Sequence, residues 1–219
     1  GVYTYGAGGV TNAAQEREVL VDVMPAPALA VYLADGVTPL GDHTVEFGDT
    51  LVVAGTGYDP TANVGGRGVP IPNTLPQGTY VVFGNFAEQW RPSEGASSAV
   101  RKATSQKWAL AESVLDQVPS AYQSAIRAQW TPIASDGSFR TTVTVTESTS
   151  PPAGGTYGVY TYAAGGVTNA AQELSVPVAL TPPPSLDVSV PAVTRAEGAP
   201  VRVVGPALGG VTRPYRAVI

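Results

Sequence analysis

The chain has 219 residues, 43% of them hydrophobic and only 13% charged, with a formal net charge of −5. That is ample apolar material for a core, about half the usual share of charge, and the wrong sign for a nucleic-acid partner. Cysteine is absent, which excludes thiolate metal sites, thiol nucleophiles and an inter-sheet disulfide.

The chain opens on a phrase that it later repeats. Gly1-Val2-Tyr3-Thr4-Tyr5 and Gly8-Gly9-Val10-Thr11-Asn12-Ala13-Ala14-Gln15-Glu16 return as Gly158-Val159-Tyr160-Thr161-Tyr162 and Gly165-Gly166-Val167-Thr168-Asn169-Ala170-Ala171-Gln172-Glu173. At an offset of 157, 17 of 23 aligned residues are identical. A copy this close is a tandem duplication with a period of about one domain. The expected frame is therefore residues 1–23 as the closing strands of one module, 24–180 as a complete module, and 181–219 as the opening strands of a partial third. There is no initiator Met and no signal sequence, so the chain is expected to be a processed or excised piece of a longer protein.

Within the full module, residues 28–33 and 50–55 read as strands, the second running into the turn-rich Gly55-Thr56-Gly57-Tyr58-Asp59-Pro60. Residues 59–78 read as a long loop and 79–86 as a strand. Residues 87–131 read as an insertion holding a helix over 109–128. There Leu110, Val114, Leu115, Val118, Tyr122 and Ile126 recur at helical spacing, with Pro119 expected to kink or divide it. Ser135-Asp136-Gly137-Ser138 is a turn signal. In the following strand Phe139, Thr141, Val143 and Val145 alternate with Arg140, Thr142, Thr144 and Thr146, giving an apolar core face and a solvated one. Strands at 156–162 and 174–180 complete the set. Pro177 suits an edge strand, and Tyr157 a tyrosine corner.

This spacing of short strands and turns predicts an all-β fold, an immunoglobulin-like Greek-key β-sandwich with a long helix-containing insertion. Met24-Pro25-Ala26-Pro27 and Thr181-Pro182-Pro183-Pro184-Ser185 read as semi-rigid junctions one period apart. After the second, residues 186–190 and 201–205 echo the first two strands of the full module.

Three phrases carry a resemblance. Gly78-Thr79-Tyr80-Val81-Val82-Phe83-Gly84-Asn85-Phe86-Ala87-Glu88-Gln89-Trp90-Arg91-Pro92-Ser93, Ser105-Gln106-Lys107-Trp108 and Gly158-Val159-Tyr160-Thr161-Tyr162 resemble the immunoglobulin-like modules of large actinobacterial cell-surface proteins. Some of those proteins also carry Htaa-type haem-uptake domains. The likeness covers most of residues 24–180. It implies an Ig-like fold and a secreted or wall-attached location, with iron acquisition as context. Haem binding in such proteins is assigned to the separate Htaa domain, which has no match in this chain, so no haem ligand carries over.

Chemistry-bearing residues are sparse. His43 is the only histidine, and without a second His or a Cys it makes a poor metal site. No Gly-x-Ser-x-Gly elbow occurs. Asp35, Asp42, Glu46, Asp49 and Asp59 are irregularly spaced and form no calcium loop. Lys102 and Lys107, the only lysines, fall in the expected insertion, away from a core where a Lys–Asn cross-link would form. No catalytic, cofactor-binding or metal residue is assigned. The candidate interaction surface is Arg67, suited to an anion, together with Tyr3, Tyr5, Tyr160, Tyr162, Trp90 and Trp108, aromatics suited to stacking or a protein interface. The alternative is that they pack beneath the insertion.

The reading is a non-enzymatic structural or adhesive repeat module at the cell surface, without a cofactor, assembling head-to-tail into a filament by strand complementation. Its partner is protein, its own kind or a neighbouring module. Haem or iron uptake and carbohydrate binding are the alternatives. Nucleic acid and a membrane span are not expected, since no apolar run is long enough to cross a bilayer.

Overall fold

A computed structural model describes residues 1–21 and 25–181, together with the backbone of Asp187–Val188 and Val203–Val204. The chain divides into Gly1–Leu180 and Thr181–Ile219. In the second unit only one pairing is described, Asp187–Val188 antiparallel to Val203–Val204. The rest of the expected third copy, and Met24 and residues 182–186 of the junctions, lie outside the described residues.

In the first unit, strands β1 (Val2–Thr4) and β2 (Arg17–Val19) form an antiparallel hairpin. Two larger sheets follow. One orders β3 (Ala28–Tyr32), β5 (Thr50–Thr56) and β9 (Phe139–Thr144), all antiparallel. The other runs β11 (Ser175–Pro177), β10 (Thr156–Ala163), β6 (Thr79–Phe86), β7 (Arg101–Leu110) and β8 (Trp130–Pro132). Two short strands, β4 (Thr44–Val45) and β12 (Ala179–Leu180), pair in parallel.

One apolar core unites the sheets. Val31, Leu51, Val53, Phe139 and Val143 from the first meet Val81, Phe83, Ala109 and Val159 from the second. The alternation in β9 holds as the side-chain pattern requires: Phe139, Val143 and Val145 are buried while Arg140, Thr142, Thr144 and Thr146 are exposed. Phe83 is wholly buried, a burial contributing roughly 1.5–3 kcal/mol. Tyr157 lies parallel to its ring, and the Tyr157 hydroxyl accepts the Ser148 backbone N–H at 3.0 Å, nine residues upstream. Pro177 does sit on an edge strand, where its missing N–H breaks no ladder.

Three expectations are corrected. Residues 87–131 are not a single insertion, because β7 is a strand of the five-stranded sheet, paired with β6 from Arg101 to Ala109 across one register shift. Lys102 and Lys107 are therefore sheet residues, opposite Asn85 and Val81. The helix expected over 109–128 starts later and is divided at Pro119, as expected of that residue, into two short helices, α1 (Glu112–Leu115) and α2 (Ser120–Arg127), with Pro119 as the cap of the second. Proline lacks the N–H that would carry α1 onward. Ala109 and Leu110 end β7 instead, and Leu110 joins Val114, Leu115, Val118 and Ile126 in a second cluster under the helices, while Tyr122 is exposed. Finally, 174–180 is divided at Val178, where the chain leaves the edge of the five-stranded sheet to lie beside β4.

Candidate functional site

Alternation along β6 and β10 gives the five-stranded sheet a second face. Val81, Phe83 and Val159 point into the shared core, so Tyr80, Val82, Phe86, Tyr160 and Tyr162 point away from it. Register sets Tyr160 opposite Val82 and Tyr162 opposite Tyr80. Phe86 and Tyr160 stack with centroids 4.1 Å apart. Trp90, from the segment after β6, closes edge-on over Tyr160 at 5.1 Å.

That covering segment is held from both sides. Arg101 at the start of β7 donates to the carbonyls of Trp90 and Ala96 (2.9 and 3.1 Å) and lies 5.4 Å from the Tyr162 ring centre. The Glu173 carboxylate accepts the Ser93 N–H at 2.9 Å and its hydroxyl at 2.5 Å. Glu173 is itself buried. A buried carboxylate needs such donors to offset its lost hydration.

The sequence-derived surface therefore separates into three parts. Tyr160 and Trp90 are each 4% exposed and belong to the packing, so neither is a free contact residue. Trp108 is 3% exposed under the helices, its indole N–H donating to the Gln77 carbonyl at 2.7 Å. These three correct the expected interaction surface. Their size and amphipathic rims make them anchors for the chain that crosses the sheet.

What stays partly open is a strip formed by Tyr80, Tyr162 and Arg101, with exposed Arg67 near Tyr80. The Tyr80 and Tyr162 rings meet edge to face at 5.6 Å. Arg67 is placed by its backbone, whose N–H donates to the Gly165 carbonyl. Burial pushes the Tyr162 hydroxyl up to about 12, against a smaller opposing pull from Arg101. Burial likewise raises Tyr160 to about 12. Iron binds the phenolate, so burial works against either tyrosine as an iron ligand.

Tyr3 and Tyr5 lie elsewhere, on the first hairpin, at 61% and 78% exposure. This hairpin reproduces its internal copy in detail. Val2 faces Val19 as Val159 faces Val176, and Tyr3 faces Glu18 as Tyr160 faces Ser175. The Thr4 hydroxyl donates to the Gln15 carbonyl at 2.6 Å, and Thr161 donates to Gln172 at 2.8 Å. Gly8 and Gly9 take the same left-handed conformation as Gly165 and Gly166, which L side chains rarely adopt. The surroundings differ, as do a few side chains such as Arg17 in place of Leu174.

In the internal copy those surroundings form a buried polar network. Thr161 receives the Tyr58 hydroxyl at 2.9 Å. Gln172 Oε1 accepts from Asn63 Nδ2 and from the Thr79 hydroxyl, both at 2.6 Å. Asn169 Nδ2 donates to Asn63 Oδ1 at 2.8 Å. No sequence periodicity points to Asn63, Thr79 or Ser93, since each bond spans 80 residues or more.

No family model, curated protein or solved structure matches the chain.

Asp35, Asp49 and Asp59 serve their own turns. Asp35 accepts from the Thr38 hydroxyl and the Val37 and Thr38 N–H groups, which hold its carboxyl below the usual range. Asp49 accepts from the Glu46 N–H, and Asp59 from Thr61. Among the described residues no three His, Cys, Asp or Glu side chains converge on one point. His43 is exposed in the turn before β4.

Proposed function

We propose that the chain is a structural or adhesive, non-enzymatic repeat module of a secreted or wall-attached bacterial surface protein, built on an immunoglobulin-like β-sandwich. The observation that carries the reading is the duplicated closing hairpin, which keeps one register and one set of internal bonds in two settings. A unit that repeats conformation as well as sequence is the hallmark of modular arrays.

The Ig-like assignment draws support from strand order. The run β3-β5-β9 corresponds to A-B-E of an immunoglobulin domain, and β11-β10-β6-β7 to G-F-C-C′. Tyr157, at the start of the F equivalent and bonded to upstream backbone, fits the tyrosine-corner position. The surface-protein location rests on the likeness to actinobacterial modules and on the cysteine-free, charge-poor composition.

Self-association is the expected activity. Beads carrying the chain should be retained on a surface coated with the same chain, above beads carrying albumin. Equal retention of the two would overturn the adhesive reading.

A second reading is favoured by the Tyr80–Tyr162 strip flanked by Arg67 and Arg101. Half-open aromatic rings beside guanidinium groups suit an acidic carbohydrate. Binding on an array of acidic glycans that is lost in Tyr162→Ala would support it, and an array without signal would remove it.

A further inference from the structure

The first hairpin displays a face whose partner can be read from its internal copy. In the copy, Val159 is 0% and Tyr160 4% exposed, but the identical Val2 and Tyr3 are 60% and 61% exposed. There Val159 faces the shared core and Tyr160 lies under Trp90, β10 pairs along all of β6, and the polar groups of residues 161–173 are met by Tyr58, Asn63, Thr79 and Ser93. Each residue that receives these contacts has an identical counterpart in the hairpin: Thr4 for Thr161, Asn12 for Asn169, Gln15 for Gln172 and Glu16 for Glu173.

We infer that the hairpin from Val2 to Val19 is a donor that seats on a second copy of this chain, in place of that copy's own β10–β11 segment and along its β6. The inference rests on the self-association reading and names its surface. The required edge is β6, because β10 hydrogen-bonds to β6 and not to the opening strands β3 and β5, which lie in the other sheet.

The two copies differ where competition is decided. Leu174 packs half-buried against the shared core, and its counterpart is Arg17. A charged residue at that place leaves the donor weaker than the resident, so the resident holds β6 within a folded chain. Exchange is then favoured when both segments compete from the unfolded state at high concentration. Each copy carries a donor and an acceptor, so the contact is heterologous and extends to open chains as well as pairs.

The test is refolding of the full chain from denaturant over a range of concentrations, read by size exclusion with light scattering. Species at twice the 22.4 kDa chain mass and above should grow with concentration. Val2→Lys with Tyr3→Lys should return them to background while leaving the module's melting temperature unchanged. Arg17→Leu should tighten association about tenfold, as burial of a leucine in place of a charge does. A monomer at every concentration overturns the inference, as does an oligomer that ignores both hairpin variants. Adhesion of coated beads that survives Val2→Lys with Tyr3→Lys would leave the adhesive reading standing while this inference failed.

Discussion

Thr161→Val offers the sharpest test of how the repeated phrase draws its energy from its surroundings. The Thr161 hydroxyl has one proton, and the Gln172 carbonyl takes it at 2.8 Å. The Tyr58 hydroxyl at 2.9 Å must then be the donor to Thr161. Both side chains are 0% exposed, so water cannot replace a lost partner. Valine keeps the shape but strands two buried groups, the Tyr58 O–H and the Gln172 carbonyl. At roughly 1–3 kcal/mol for each unsatisfied group, the expected cost is about 3 kcal/mol. For a domain of this size that lowers the melting temperature by roughly 6–12 °C. Tyr58→Phe removes only a donor, and Thr161 still serves Gln172, so its cost is about 1 kcal/mol. Thr4→Val deletes the same hydroxyl in the exposed copy and should change stability by less than about 0.5 kcal/mol. Thermal and urea melts of the three variants decide the matter. If Tyr58→Phe costs as much as Thr161→Val, the donor assignment is reversed. If Thr4→Val matches Thr161→Val, burial is not what sets the value.

Further expectations follow from the same packing. Gly84 lies at the register shift between β6 and β7, and a Cβ there would run into the Lys102 carbonyl; Gly84→Ala should cost about 2–3 kcal/mol in urea melts, and a neutral result would mean that β7 can move aside. Burial raises Tyr58, Tyr160 and Tyr162 from the ordinary 10 to about 12. The folded state therefore holds these protons more tightly, and stability is full below pH 10 and lost as pH rises from 10 to 12. The loss should be about 1 kcal/mol per pH unit for each such tyrosine, seen as a falling urea midpoint; a flat midpoint through that window would refute the burial. Glu173→Ala removes both bonds to Ser93, costs about 2 kcal/mol, and should speed amide exchange across residues 90–100. Unchanged exchange there would assign the segment's hold to Trp90 and Arg101 alone.

Strand β9 was legible because one of its faces is dry and the other wet, so its residues alternate cleanly. Strand β7 was not, although it is the longest in the molecule among the described residues. Apart from Ala103, residues 101–107 are polar, and none of them is buried, whereas period-two alternation needs a buried face to reveal itself. Leu110 misled in the opposite way. It is apolar because the helices rest on the end of its strand, and it happens to fall in phase with Val114 and Val118. The aromatic pattern of β10 was readable as two faces, but which face lay open depended on the path of residues 87–100. The link that sets that path, Glu173 to Ser93, joins residues 80 positions apart and leaves no local trace in the sequence.

The parting of the last strand at Val178 bears on how the unit meets tension. Ala179 and Leu180 run parallel to Thr44 and Val45, and Leu180 is the last residue of its unit. A pull along the strand at Leu180 slides β12 against β4, so the ladder bonds are strained together and do not peel one after another from an end. Behind them Val178 is buried in the shared core and acts as a stop that must leave before β11 feels the load. The end of this unit thus falls where the chain is fastened to β4 and, through Val178, to the shared core, and stretching should spare β10 and β11 until that fastening fails.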